Sequence, residues 1–149
     1  MAKTSAVTVK VKLLSADAKM PTKARAGDVA FDLYSAAELN LEPGEHGAVP
    51  TGIAVEVPDG YEGQVRPRSG LAAEHGVTVL NTPGTIDSGY RGEVKTIMIN
   101  LGSKSFHITK GMRISQLAIR PVPDVTLVES DNLSGTERGG RGLGSTGLS

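Results

Sequence analysis

The sequence contains no cysteine. That absence excludes disulfide bonds, thiolate catalysis and zinc–thiolate centres, and it leaves nothing that suggests an oxidising compartment. Aromatic residues are also scarce (Tyr 3, Phe 2, Trp 0), too few for a platform that stacks on nucleic-acid bases. Lys plus Arg (16) equals Asp plus Glu (16), and this zero net charge argues against a polybasic nucleic-acid-binding protein.

Long apolar runs are missing as well. No stretch approaches the roughly 20 apolar residues of a membrane span, and residues 1–10 lack the apolar core of a signal peptide. We therefore expect a soluble protein with no membrane or nucleic-acid partner. We expect it in the cytoplasm, or also in the nucleus if the source is eukaryotic.

Turn-forming residues are abundant: Gly (19) and Pro (8) together make about 18 % of the 149 residues, against roughly 12 % on average. Between the turns, apolar and polar residues alternate in short runs, which is typical of half-buried β-strands. The predicted strands are 7–13, 29–33, 38–41, 53–57, 64–68, 78–80, 94–101, 106–109, 114–120 and 125–129. This spacing predicts an all-β sandwich or barrel, with one short helix over residues 69–76 that ends at Gly76.

The composition changes near Ser130. Six glycines lie between residues 135 and 147, together with Arg138, Arg141 and several hydroxyl side chains. Such a segment cannot bury enough apolar surface to order itself, so we predict a barrel domain over 1–129 and a flexible arm over 130–149. A plain flexible terminus is one interpretation. Guanidinium groups among glycines also predict a clamp for an anion.

Arg68, Ser69 and Gly70 lie where a predicted strand gives way to the helix. Free amides at the start of a helix together with a guanidinium would bind phosphate oxygens. The alternative is a capped helix beside a solvated arginine.

The segment 81–93 contains two turn pairs, Pro83-Gly84 and Ser88-Gly89, and predicts a tight hairpin. Such a hairpin can present main-chain groups to the polar edge of a base. Asp87 would then be a carboxylate at a turn, suited to activate water as a general base. Alternatively, Asp87 satisfies turn amides and Tyr90 is an ordinary cross-strand aromatic.

Two further polar residues interrupt apolar strands. Asp32 could hold hydrated Mg²⁺, which prefers carboxylate and water oxygens, or it could face solvent. Gln116 could serve a ligand or bond to neighbouring backbone. The three histidines show no metal-ligand spacing.

Taken together, segments 26–35, 67–72, 81–93, 111–116 and 138–147 resemble, in order, the five motifs of the trimeric deoxyuridine triphosphatases (dUTPases). The resemblance implies a distorted jelly-roll β-barrel and a homotrimer whose active sites are shared between subunits. It also implies hydrolysis of dUTP to dUMP and pyrophosphate, by water attack on the α-phosphate with Mg²⁺. That reaction keeps uracil out of DNA and supplies dUMP for thymidylate synthesis.

The resemblance also implies a role for each matching residue. Asp87 would deprotonate the attacking water, Asp32 would hold Mg²⁺ through water, and Tyr90 would pack under the deoxyribose and exclude a 2′-hydroxyl. The remaining substrate-binding residues are Asn81, Gly84, Thr85, Ile86 and Lys95 at the nucleoside, Arg68, Ser69, Gly70 and Gln116 at the phosphates, and Arg138, Leu143, Gly144, Ser145 and Thr146 in the closing arm. Leu143 replaces the family's usual phenylalanine on the uracil, and Ala30 stands where glycine is frequent.

Two other functions compete with this interpretation. A deoxycytidine triphosphate deaminase would share the barrel but needs an additional glutamate near the base, and residues 96–101 contain no carboxylate. A non-catalytic nucleotide-binding jelly-roll module would have no need of the five motifs together.

Overall fold

The computed structural model describes residues 6–144, 146 and 147. This part of the chain forms ten β-strands and one short α-helix, so the all-β class with one helix is confirmed. The elements are β1 Lys10–Leu13, β2 Phe31–Tyr34, β3 Leu39–Leu41, β4 His46–Glu56, β5 Tyr61–Arg66, α1 Ser69–His75, β6 Val77–Val79, β7 Gly84–Ile86, β8 Glu93–Asn100, β9 Phe106–Ile108 and β10 Arg113–Pro121.

The strands pair in three antiparallel sheets. One sheet has the order β1-β4-β8-β6, the second β2-β10-β5-β7, and the third pairs β3 with β9. Burial alternates along β8, where Val94, Thr96, Met98 and Asn100 are buried. Along β8, the period of two in the sequence therefore marks which side chains face the interior.

The interior contains two clusters of buried apolar side chains. The first contains Leu33, Ile53, Val55, Val57, Val65, Val79, Ile86, Val94 and Leu117, and the second contains Leu41, Val49, Val77, Met98, Phe106, Ile108 and Ile114. Burying one such side chain is worth roughly 1.5–3 kcal/mol. Since Ile86 belongs to the first cluster, the strand that precedes Asp87 is anchored in the core.

Helix α1 ends as its sequence predicts. Gly76 adopts a left-handed conformation (φ 68°), and its amide donates to the carbonyl of Ala72. The residue before the helix, Arg68, is extended and makes no side-chain cap hydrogen bond.

The predicted strand 125–129 is wrong. Beyond Pro121 the described residues form no strand or helix and are exposed, with Val125, Leu127 and Val128 at 66 %, 93 % and 81 % exposure. The alternation of apolar residues is present, but no partner strand of this chain lies beside it. The hairpin segment, by contrast, contains an additional short strand, β7, which pairs with β5.

No helix in the described part of the chain is long and apolar enough to cross a membrane.

Candidate active site

Seven of the predicted site residues line one cavity of about 420 Å³. These residues are Asn81, Gly84, Thr85, Ile86, Asp87, Tyr90 and Lys95. They come from the loop after β6, from β7 and its following turn, and from β8. The cavity wall also includes Ala48, Val65, Glu93, Val94 and Ile97.

One wall of this cavity is formed where β7 pairs with β5. Gly84 lies opposite Val65, and a Cβ atom on Gly84 would be 3.2 Å from the Cβ of Val65. That separation is tighter than ordinary van der Waals contact, so only glycine fits here without a shift. Asn81 lies close by, since its Nδ2 would be 3.5 Å from the same added atom.

The turn that carries Asp87 is closed without its carboxylate. The amide of Tyr90 donates to the carbonyl of Asp87 at 3.1 Å, and Nη1 of Arg91 donates to the carbonyls of Ser88 (2.6 Å) and Tyr90 (3.0 Å). Asp87 itself is exposed at the cavity. The alternative in which Asp87 merely satisfies turn amides is therefore not supported by the turn's own hydrogen bonds.

Tyr90 lies between this turn and β8, outside any strand, so it is not a cross-strand aromatic. Its hydroxyl donates to the main-chain carbonyl of Glu93 at 2.8 Å, and 45 % of the residue is exposed. One side of the ring is thus held by the chain while the rest faces the cavity.

A second group of predicted residues forms around Asp32. The carboxylate is 3.7 Å from Nε of Arg68 and 3.4 Å from Nη1 of Arg113, and it accepts from Nε2 of Gln116 at 3.3 Å. The strand register explains the arrangement, because Gln116 of β10 lies opposite Asp32 of β2. Asp32 is only 6 % exposed, so the interpretation of a solvent-facing carboxylate is wrong. The alternative that Gln116 bonds only to backbone is wrong as well.

The guanidinium of Arg68 is partly buried and also donates to the carbonyl of Arg113 at 3.0 Å. The alternative of a capped helix beside a solvated arginine is therefore wrong. Ser69 and Gly70 follow Arg68 at the exposed start of α1.

The described residues of the arm line neither the cavity nor the Asp32 group, and the side chains of its arginines bond within the arm. Arg138, Leu143, Gly144 and Thr146 are exposed, and Ser145 lies outside the described residues. Nε of Arg138 donates to the carbonyl of Arg141, and Nε of Arg141 donates back to the carbonyl of Arg138. The structure therefore gathers the predicted residues in three separate places: the cavity, the Asp32 group and the arm.

The family model described as dUTPase matches residues 16–147. The chain belongs to the dUTPase family. It is 51 % identical to a deoxyuridine 5'-triphosphate nucleotidohydrolase of Clostridium tetani over 94 % of this chain and 97 % of that protein. It is 52 % identical to one of Clostridioides difficile over 94 % and 98 % of the two chains.

Solved dUTPases have the same fold. A variant dUTPase of Staphylococcus bacteriophage 80alpha, solved with dUpNHpp, superimposes with a TM-score of 0.88 at 31 % identity, covering 95 % of this chain and 99 % of that one. A variant from phage phi11 of S. aureus, described as showing the coordination of a structural Mg(II) ion, gives a TM-score of 0.79 at 26 % identity, covering 84 % and 97 %. The predicted jelly-roll fold of the dUTPases is confirmed.

Asp32 is the carboxylate that the sequence predicts for a metal held through water. Among the described residues, no three His, Asp or Glu side chains come together as a metal cluster. Asp32 already faces two guanidinium groups, which disfavour a bare cation beside it. The arrangement suits Mg²⁺ that arrives on a triphosphate and meets the carboxylate through water, because Mg²⁺ keeps several waters and commonly uses substrate phosphates.

Two polar residues that the sequence did not predict for the candidate site lie next to the predicted ones. Arg113 pairs with Asp32, and Glu93 lines the cavity with its Oε1 accepting the amide of Gly52 at 3.0 Å. Both belong to segments that were singled out as motifs, 111–116 and 81–93, so their proximity to the other motif residues was the available signal.

Proposed function

We propose that this chain hydrolyses dUTP to dUMP and pyrophosphate in the cytoplasm, through attack of water on the α-phosphate with Mg²⁺. This activity would keep uracil out of DNA and supply dUMP for thymidylate synthesis. The observation that carries the proposal is Asp87, whose carboxylate is free of the turn that positions it and faces a cavity shared with Asn81 and Tyr90. The names of the relatives at about 50 % identity support the same substrate.

The cavity would hold the deoxyuridine. Asn81 and the main chain of Gly84 and Ile86 supply donors and acceptors for the uracil edge. Cytosine would leave such buried polar groups unpaired, which is costly. Tyr90 would pack under the sugar, where a 2′-hydroxyl would collide with its ring, and Thr85 and Lys95 complete the wall.

The Asp32 group would hold the triphosphate. Arg68, Ser69, Gly70 and Gln116 donate to phosphate oxygens, and Arg68 is already oriented by Asp32. Bound Mg²⁺ would offset charge on the triphosphate and on the departing pyrophosphate. Asp87 orients a water and takes its proton as the oxygen attacks phosphorus in line with the leaving pyrophosphate.

The active sites would be shared within a homotrimer. Within one chain, the cavity and the Asp32 group are separate, and the arm contacts neither through its arginines. The apolar side chains of Val125, Leu127 and Val128 are exposed in the single chain, as expected of a segment that another copy covers. Arg138, Leu143, Gly144, Ser145 and Thr146 would then close over a neighbour's nucleotide, a disorder-to-order step.

The test is Asp87→Asn, which keeps size and removes the base. We expect kcat for dUTP to fall by about 10²–10⁴-fold while dUpNHpp, an analogue of dUTP, still binds. Ser88→Ala, next along the same turn, serves as the matched control, because the Ser88 side chain is not among the predicted site residues. Unchanged pyrophosphate release by Asp87→Asn would refute the role of Asp87.

A substrate panel separates the alternatives in the same assay. Wild-type protein should release pyrophosphate from dUTP with Mg²⁺ and release no ammonia from dCTP. Ammonia from dCTP would favour the deaminase, and binding of nucleotides without turnover would favour the non-catalytic module.

A further inference from the structure

The backbone conformation of Gly92 does not explain why this position has no side chain. It is not among the glycines with positive φ, so its main chain would accept an ordinary L-residue. A Cβ atom on Gly92, however, would lie 2.5 Å from the hydroxyl oxygen of Tyr90, 2.7 Å from its Cζ and 3.0 Å from its Cε2. The tyrosine ring therefore occupies the space where any side chain at position 92 would stand.

The hydroxyl end of the same ring is also held by a hydrogen bond. The Tyr90 hydroxyl donates to the carbonyl of Glu93 at 2.8 Å, so the hydroxyl end of the ring lies beside Gly92 and is hydrogen-bonded to the next residue. We call this surface, made by Gly92 and the carbonyl of Glu93, the ring seat.

The ring seat is in turn tied to the neighbouring strand. The pairing of β4 with β8 shifts register between Pro50 and Ala54, opposite the start of β8. Glu93 reaches this irregularity and accepts the amide of Gly52 at 3.0 Å, and the hydroxyl of Thr51 donates to the carbonyl of Val94 at 2.5 Å. The ring of Tyr90 thus contacts a part of the barrel that is hydrogen-bonded to β4, although the residue itself is half-exposed.

We propose that Gly92 is a specificity-determining positioning residue: the absence of a side chain there lets the ring of Tyr90 lie where it rejects a ribose. This inference rests on the proposed function, because it places Tyr90 under the sugar. A ring displaced by even a methyl group would open space for a 2′-hydroxyl and weaken the packing on the deoxyribose.

The test compares Gly92→Ala with Gly89→Ala in the same turn region. Gly89 also lacks a positive φ, and an added Cβ there meets nothing within 4 Å. The measurement is the ratio of kcat/KM for dUTP to kcat/KM for UTP. We expect Gly92→Ala to lower this ratio by about fivefold or more, the loss equivalent to one net hydrogen bond, and Gly89→Ala to leave it unchanged. An unchanged ratio in Gly92→Ala would overturn the proposal.

A double variant shows whether Gly92 acts through the ring. In the Tyr90→Ala background, adding Gly92→Ala should change the ratio no further, because the colliding ring is already gone. A further drop would mean that Gly92 acts by another route and would contradict the inference. If Gly92→Ala alone does not fold, recovery of folding in the double variant supports the ring seat, and failure to recover overturns it.

The two proposals fail in different ways. A wild-type chain that does not hydrolyse dUTP refutes the proposed function. A wild-type chain that hydrolyses dUTP, with Gly92→Ala equally selective, refutes only the ring seat.

Discussion

Replacing Asp32 with Asn removes a buried charge that two guanidinium groups face. At an effective dielectric constant of 20, each of these charge pairs at about 3.5 Å is worth roughly 5 kcal/mol before desolvation is counted. Much of that gain offsets the cost of burying the carboxylate. The side chains of Arg68 and Arg113 are 26 % and 49 % exposed, so water can hydrate them once the carboxylate is gone. We therefore expect a net loss of about 1–2 kcal/mol, well below the 3–5 kcal/mol of a fully buried pair.

The measurement is urea and thermal unfolding at one fixed protein concentration, since association would contribute to the apparent stability. For a chain of this length, the expected loss corresponds to a Tm lower by about 3–6 °C. Asp17→Asn is the matched control, because Asp17 forms an exposed pair with Lys110 at 3.0 Å and should change stability by less than about 1 kcal/mol. Equal stability of the two variants would refute the argument that the buried carboxylate organises this group. In the active enzyme, Asp32→Asn should also raise the Mg²⁺ concentration for half-maximal rate by about tenfold or more.

Two predictions concern the arm. Deleting residues 138–149 should lower kcat/KM for dUTP by about a hundredfold with little change in Tm, because the hydrogen bonds of Arg138 and Arg141 to other described residues stay within the arm. A fully active truncated enzyme would contradict the closing role. Leu143→Phe should lower KM for dUTP by about fivefold, since an aromatic ring adds roughly 1 kcal/mol of stacking on a base, and an unchanged KM would show that Leu143 does not cover the uracil.

Strand positions could be predicted from the sequence where burial alternates along the strand. They could not be predicted where strand formation depends on pairing with distant residues. The strand of residues 94–101 follows from period two, because burial alternates along β8. The predicted strand 53–57 covers only the end of β4, His46–Glu56, since residues 51–55 are all buried and show no alternation. In β2, the neighbouring residues Asp32 and Leu33 are likewise both buried. From the sequence, the short segment Gly84–Ile86 is predicted to be part of a turn. It forms a strand because it pairs with β5. Residues 125–129 have the pattern of a strand, but pattern alone supplies no partner, and in this chain they remain exposed.

The candidate site also contains residues that are neighbours in the sequence and residues that only the fold brings together. The segment 81–93 is continuous, so its residues reach one cavity by local structure, and sequence reasoning brought them together. Asp32 and Gln116 are 84 positions apart and meet only because β2 and β10 pair in one register. Arg113 and Glu93 were missed for the same reason: the partner of Arg113 is Asp32, and that of Glu93 is the amide of Gly52, 41 positions away.

The separation of the cavity from the Asp32 group gives a direct test of a shared active site. Asp87→Asn damages the cavity, and Arg68→Ala damages the Asp32 group that would bind the triphosphate. Each variant alone should therefore be nearly inactive. Suppose that every active site takes its cavity from one subunit and its Asp32 group from another. Refolding equal amounts of the two variants together should then restore about a quarter of the sites, because each of the two parts is intact in half of the subunits.

A second mixture controls for nonspecific rescue. Asp87→Asn and Asn81→Ala both damage the cavity of one chain, so no mixed trimer contains an intact cavity and activity should stay absent. Native mass spectrometry would confirm that mixed trimers form in both cases. If mixed trimers of Asp87→Asn with Arg68→Ala remain inactive, the cavity and the Asp32 group of one active site belong to the same subunit. That result would refute the proposal that the active site is shared between subunits.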